Sequence, residues 1–234
     1  MTTRRSLISG AAALATFQAL GARAQGIPGL AIPPGLIAGG VPLALAFRAA
    51  YAGTDNVASQ TIASVDFGAA NSTRSILIIG GYWCSSSQQT ITSATIGGVG
   101  ATILVNGTSG AFALIASVPL GSTGSLALTM SSLDQQGLRF AAYRLTNLQS
   151  QTPVTISTIG AGGSASIARP AGATIVYAGY KMNTGAASVS GLTIDDAVSG
   201  HVEAHSGVNA GAADSVSVTV TASAPYADTY LVFK

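Results

Sequence analysis

The sequence predicts an all-β protein made of two related antiparallel β-sandwich halves of jelly-roll-like type, preceded by an N-terminal helix or arm. Short runs rich in Val, Ile, Thr, Tyr and Phe alternate with Gly, Ser and Asn clusters at intervals of about 8 to 12 residues, which is typical of sandwiches and barrels. No stretch after Leu43 has helical periodicity, and parts of the second half repeat the first. We divide the chain into segments 1–24, 25–42, 43–148 and 149–234.

The N-terminal segment has the order of features of a twin-arginine export signal. Arg4 and Arg5 precede an apolar run, and Ala22 and Ala24 form an A-x-A cleavage pattern. The run is shorter than the roughly 20 residues that a membrane span needs, so no stable membrane insertion is expected. The alternative is that the segment is retained as a short amphipathic helix or arm packed in an assembly.

Residues 25–42 form a linker that contains four prolines and no charged side chain. Proline lacks the amide hydrogen that helices and central strands need, so we expect an extended apolar arm that lies against a partner surface.

The alternating pattern predicts strands in two sets. They are Leu43–Tyr51, Ile62–Phe67, Ser75–Trp83, Ile91–Ile96, Ala101–Val105, Phe112–Val118, Ser125–Met130 and Leu138–Leu145, followed by Val154–Ile159, Ser164–Ala168, Ala173–Tyr180, Leu192–Ile194, His201–Ser206, Ser215–Thr221 and Thr229–Phe233.

The two sets resemble copies of each other. Ile76–Tyr82 aligns with Thr174–Tyr180 at an offset of 98, which also places Thr95-Ile96 on Thr193-Ile194, and Ser125–Met130 aligns with Ser215–Val220 at an offset of 90. The shorter offset indicates that the second half lacks a counterpart of the Ala101–Val105 strand. Chance similarity between alternating strands is the competing explanation.

Charge is scarce in this chain. Charged residues make up 8% of it, against about 25% in an ordinary soluble domain. Three of the ten basic residues lie in the first 24 positions, which leaves seven against eight acidic residues, a net charge of −1. This balance argues against nucleic-acid binding. A surface with so few charges associates readily, so we expect it to be covered by other copies of the chain in a homo-oligomer or by other partner subunits.

The single cysteine, Cys84, excludes an internal disulfide framework, and we interpret it as a small, half-buried apolar residue. Tyr82, Trp83 and Tyr180 could line a sugar-binding face, but packing on a sheet face is the simpler interpretation.

The one constellation of chemical interest is His201-Val202-Glu203-Ala204-His205. In a strand, His201, Glu203 and His205 share one face and could bind a ligand, a partner or a metal. Three ligands on one strand span about 13 Å, too far for a single ion, so no metal is predicted. We interpret the segment as an exposed strand whose outer face became polar, aligned with Phe112–Ala116 of the first half, while Val202 and Ala204 point inward.

No catalytic motif is recognisable and no cofactor is predicted. A Gly-x-Ser-x-Gly elbow is absent from the sequence, and Asp195 and Asp196 are adjacent, so in a regular strand they face opposite ways. The Gly-rich stretch at 160–163 lacks the lysine of a phosphate-binding loop and is interpreted as a turn.

Residues 43–148 resemble a β-domain of uncharacterised virion proteins of tailed bacteriophages and related gene-transfer particles. The segments that carry the resemblance are Val65–Ala70, Arg74–Ile78, Ile91–Val99, Val118–Ser122 and Arg139–Tyr143. The resemblance implies a non-enzymatic structural or receptor-facing subunit of a head, neck or tail, such as a decoration, collar or fibre-type subunit. Its partners would be other virion proteins and a host-surface receptor, and its location the virion.

Two hypotheses therefore follow from the sequence. The first is a phage-type virion structural protein. The second is a bacterial β-sandwich binding module, exported through the twin-arginine route to the periplasm or cell surface, that uses His201 and Glu203. A hydrolase is a third and weaker possibility.

Overall fold

The described chain forms strands throughout. The structure is a computed structural model that describes residues 41–84, 89–107, 110–133, 135–181, 187–198, 200–223 and 225–234. Within these ranges there are seventeen strands and no helix, so the predicted all-β class is confirmed. Arg4, Arg5, Ala22 and Ala24 lie outside the described residues, as does most of the predicted linker. In the part that is described, no helix is long and apolar enough to span a membrane.

The strands of the first half are β1 Ala44–Ala52, β2 Ser59–Asp66, β3 Arg74–Cys84, β4 Ile91–Ile96, β5 Val99–Gly100, β6 Thr102–Asn106, β7 Gly110–Ser117, β8 Thr123–Met130 and β9 Gln135–Thr146. Those of the second half are β10 Thr155–Ser157, β11 Ser164–Arg169, β12 Thr174–Lys181, β13 Ser188–Ser190, β14 Thr193–Val198, β15 His201–His205, β16 Asp214–Thr221 and β17 Tyr226–Phe233. Every predicted strand has a counterpart here, and β5 and β13 were not predicted.

Four antiparallel sheets contain these strands. Sheet A has the order β1-β9-β3-β7-β6 and sheet B the order β2-β8-β4-β5. Sheet C has the order β10-β17-β12-β15-β14 and sheet D the order β11-β16-β13. Sheets A and B belong to the first half of the chain, and sheets C and D to the second.

Three apolar cores stack the sheets in the order B, A, C, D. Ile78, Phe112 and Leu126 belong to the core between sheets A and B. Tyr177 and Val218 belong to the core between sheets C and D. A further core lies between sheets A and C, and its buried members include Leu77, Ile115, Val176 and Leu231. Each half is thus a sandwich, and the two sandwiches pack back to back through sheets A and C.

The two halves have the same strand order. Position by position, β1, β9, β3, β7 and β6 of sheet A correspond to β10, β17, β12, β15 and β14 of sheet C, and β2, β8 and β4 of sheet B correspond to β11, β16 and β13 of sheet D. Across the A–C interface β9 contacts β15, and β7 contacts β17. Because β9 corresponds to β17 and β7 to β15, these contacts are reciprocal, as in a two-fold symmetric dimer.

Part of the predicted alignment of the halves is wrong. An offset of 98 pairs Ile78 with Val176, but Ile78 faces sheet B within its own half, whereas Val176 faces the other half. A one-residue slip along a strand inverts every side chain, so the true offset here is odd. Ser125–Met130 and Ser215–Val220 do lie in the corresponding strands β8 and β16.

The alignment of Phe112–Ala116 with His201–His205 joins the corresponding strands β7 and β15 but inverts their faces, because Phe112 faces sheet B and His201 faces the other half. The remaining alignment errors concern β14. Thr193 and Ile194 lie in β14, which corresponds to β6 rather than to the β4 strand that contains Thr95 and Ile96. The strand without a counterpart is therefore β5, not the Ala101–Val105 segment. A two-residue strand such as β5 is too short to produce a periodic sequence signal.

Small residues allow the two halves to approach closely. A Cβ atom added at Gly81 of sheet A would lie 2.6 Å from the Cβ of Tyr180 in sheet C. One added at Gly110 would lie 2.4 Å from the Cβ of Ala227. These separations are below any ordinary contact between carbon atoms, so glycine is required at both positions for sheets A and C to pack as they do.

Candidate functional site

The candidate site lies at one edge of the A–C interface, where the β14–β15 hairpin packs against β9. A β-bulge interrupts the pairing of β14 with β15 between Ile194 and Asp196. Asp195 accepts a hydrogen bond from Tyr143, and Asp196 accepts one from Arg139. Both carboxylates therefore point toward β9. The prediction that these adjacent residues face opposite ways is wrong, because the extra residue in a bulge breaks the alternation.

The β15 strand directs its polar side chains toward the other half of the molecule. Val202 and Ala204 lie in the core between sheets C and D, so His201, Glu203 and His205 face sheet A. His201 is 3% exposed and Glu203 is 1% exposed. The interpretation of this segment as an exposed strand with a polar outer face is therefore wrong. The face is internal because a second sandwich covers it.

Hydrogen bonds connect the two halves at this edge. The hydroxyl of Tyr143 donates to Asp195 Oδ2 at 2.6 Å, and the same oxygen lies 2.7 Å from Nδ1 of His205. The guanidinium of Arg139 donates from Nη2 to Asp196 Oδ2 at 3.1 Å. Arg139 and Tyr143 come from the first half, and the three acceptor or imidazole groups come from the second. The polar contacts thus bridge the interface.

Glu203 makes no hydrogen bond in this network. Both of its carboxyl oxygens are buried, and neither has a hydrogen-bond partner in the described part of the chain. Burial raises the pKa of Glu203 to about 8, with a further increase from the charge of Asp196, while Arg139 acts in the opposite direction. An acid with this pKa is predominantly protonated at neutral pH.

His201 is also uncharged. Burial lowers its pKa to about 3, and the nearby Arg139 lowers it further, although a hydrogen bond to the backbone of Gly137 opposes both effects. Its ring lies 4.2 Å from the ring of Tyr180, measured between centroids. The Nδ1 atom is buried without a partner among the described residues. His201 is thus a packed, neutral imidazole.

The arrangement joins the two halves of the molecule. Asp195 and Glu203 lie between two sheets, and the partly exposed members are Arg139, Asp196 and His205, whose side chains are 26%, 19% and 21% exposed. No cluster of three or more His, Cys, Asp or Glu side chains among the described residues has a geometry that could hold a metal ion.

The aromatic residues singled out in the sequence do not form one face. Tyr82 is fully buried in the core between sheets A and B, where its hydroxyl donates to the carbonyl of Gly107 at 2.6 Å. Trp83 is the next residue on β3 and is half-buried. Tyr180 packs on His201 at the A–C interface. The three rings therefore occupy different surroundings, and Cys84 is buried near Tyr82.

Two important residues of this site, Arg139 and Tyr143, were missed by the sequence analysis. Their spacing of four places both on one face of β9, and that alternation was visible in the sequence. What the sequence did not show was which sheet this face would meet. No family model, no curated protein and no solved structure matches the chain.

Proposed function

We propose that this protein is a non-enzymatic structural subunit that assembles with copies of itself and with companion proteins in a phage-type virion. The observation that carries the proposal is the composition of the two outermost sheet faces. The outward positions of sheet D are Ser164, Ser166, Ala168, Ser188, Ser190, Ser215, Ser217, Thr219 and Thr221, all of them exposed.

The outward face of sheet B has the same character. Cross-strand pairing places Ser59 and Ser93 on either side of Thr129, and Thr61 and Thr95 on either side of Ala127. Hydroxyl groups both donate and accept hydrogen bonds, so such faces complement each other without matched charges. A charge-free face also lacks the repulsion that normally keeps sheets apart. Because sheets B and D are the outer layers of the stack, the molecule has a docking face at each end.

The burial of the polar cluster supports the non-enzymatic part of the proposal. A catalytic acid must reach its substrate within hydrogen-bonding distance. Glu203, which has the raised pKa expected of a general acid, is 1% exposed and lies between two packed sheets.

The test is the oligomeric state of the full chain measured by light scattering over a concentration series. We expect assembly that weakens when Ser166 and Ser217, paired neighbours on sheet D, are both replaced by Lys. The control is Ser122→Lys, which adds a charge at an exposed loop position. A monomer at every concentration, or equal assembly of the two variants, would contradict the proposal.

A second experiment separates the virion from the competing export hypothesis. Mass spectrometry of the native protein, with identification of co-purifying proteins, is expected to find other virion components and an intact N-terminal segment. A mature chain that starts near Gln25, in a periplasmic or surface fraction, would favour the exported binding module instead.

A further inference from the structure

The polar cluster at the A–C interface has more acidic groups than cationic ones. Asp195 and Asp196 approach Glu203 from β14, and Arg139 and Tyr143 approach from β9. His201 and His205 flank Glu203 on β15. Tyr226 on β17 is close enough for the charge of Glu203 to raise the pKa of its hydroxyl. The cluster thus contains three carboxyl groups and a single guanidinium.

The partners of the two aspartates are already assigned by geometry. Asp196 pairs with Arg139 at 3.1 Å, and Asp195 accepts from Tyr143 at 2.6 Å and contacts His205 at 2.7 Å. Glu203 forms no hydrogen bond with the described residues, and the buried Nε of Arg139 and Nδ1 of His201 have no partner either. A negative charge there would be buried, without a hydrogen bond and next to Asp196, with only partial compensation from Arg139, which is already paired with Asp196. Such an arrangement is strongly unfavourable in a protein interior.

We propose that Glu203 is a proton-binding latch: the proton it holds neutralises the cluster and keeps the two sandwich halves closed, and its loss loosens the interface at this edge. The proposal does not depend on the proposed function, because it concerns one chain whether or not that chain assembles. The side chains of Asp196 and His205, in the same cluster, are partly exposed to solvent.

The raised pKa of about 8 gives the sign and the pH range of the effect. An unfolded glutamate releases its proton near pH 4.5, whereas folded Glu203 keeps it to about pH 8. The folded state therefore binds more protons between these two values, so the stabilising contribution of Glu203 is complete below about 4.5 and is lost as the pH rises toward 8. Above pH 8 the native interface itself contains the unpaired charge.

The direct test uses the fact that Glu203 is the only glutamate in the chain. Glutamate labelled with ¹³C at the side-chain carboxyl reports this one group by NMR without any substitution. We expect its chemical shift to titrate near pH 8. Titration near the ordinary value of 4.5 would overturn the proposal.

The structural consequence is tested with Glu203→Gln, which resembles the protonated acid and cannot ionise. Relative to this variant, the unfolding equilibrium constant of the wild type should rise by up to about tenfold per pH unit between about pH 4.5 and pH 8. After correction for the intrinsic, base-catalysed exchange rate, the protection of the amides of β9, β14 and β15 from hydrogen exchange is expected to fall above pH 8 in the wild type only. Asp214→Asn, a control at the exposed start of β16, loses the ion pair with Arg169 but should keep the pH dependence of the wild type between pH 4.5 and 8, because that ion pair holds the pKa of Asp214 below its usual value. Parallel behaviour of wild type and Glu203→Gln would refute the latch, as would alkaline loosening confined to other strands.

Discussion

Replacing Arg74 by Met should strongly destabilise the protein. Arg74 lies at the start of β3 and is completely buried. Its guanidinium donates to the carbonyls of Val118, Gly68, Ala69, Leu120 and Gly121 at 2.6 to 3.1 Å, and to that of Phe67 at 3.4 Å. It therefore joins the loop between β2 and β3 to the loop between β7 and β8.

The expected magnitude follows from these contacts. Methionine fills a similar volume but donates no hydrogen bond, so carbonyls that the guanidinium satisfies would be left unpaired. Hydrogen bonds to a charged group contribute about 1.5 to 3 kcal/mol each, but bonds that share one donor group are far from additive. A buried acceptor left without a partner costs about 1 to 3 kcal/mol, and because these costs add only in part, we take about 4 kcal/mol as the expected loss in the free energy of unfolding. That corresponds to a decrease in Tm of about 8 to 16 °C for a chain of this size.

The assay is urea unfolding monitored by the fluorescence of the single tryptophan, Trp83, together with thermal unfolding by circular dichroism. Arg74→Lys is the matched control, because it keeps the positive charge but lacks the planar guanidinium whose N–H groups reach both loops. We expect it to lose about half as much stability as Arg74→Met, by loss of roughly half of the charge-assisted bonds. A loss below about 1 kcal/mol for Arg74→Met would refute the reasoning, since it would show that the two loops do not depend on the guanidinium.

Two further predictions concern the packing of β9 and β3. Tyr143→Phe removes the hydroxyl that donates to Asp195, and should lower the free energy of unfolding by about 1 to 3 kcal/mol in urea titrations at pH 7; an unchanged midpoint would show that Asp195 does not need this donor. Gly80→Ala should abolish stable folding or reduce Tm by many degrees, because the added Cβ would lie 2.1 Å from the backbone carbonyl oxygen of Arg139. Gly100→Ala, where an added Cβ meets nothing within 4 Å, should leave Tm nearly unchanged, and an equal effect of the two substitutions would contradict the reasoning.

The strands themselves were predictable from local sequence. Alternation of apolar and polar residues between turn-forming clusters identified β8 and β16 nearly to their ends, because the period of two is a property of each strand alone. The strands β5 and β13 were not found. They have two and three residues, and a period of two cannot be recognised over so short a length.

Which way each face points was decided by tertiary structure. A strand buried on both sides, such as β3, has apolar residues on both faces, so its sequence does not distinguish the face toward sheet B from the face toward sheet C. The alignment at an offset of 98 therefore matched residue types and inverted the faces. Only the packing of whole sheets shows that Ile78 and Val176 belong to different cores.

The candidate site shows the same division. The sequence by itself determined that His201, Glu203 and His205 share one face of a strand, since alternation is local. The tertiary structure decided that this face is buried against Arg139 and Tyr143, residues about sixty positions away, and that a bulge turns both Asp195 and Asp196 toward them. Solvent exposure and electrostatic environment depend on which surfaces meet, and that choice is made by the packing of the two halves as a whole.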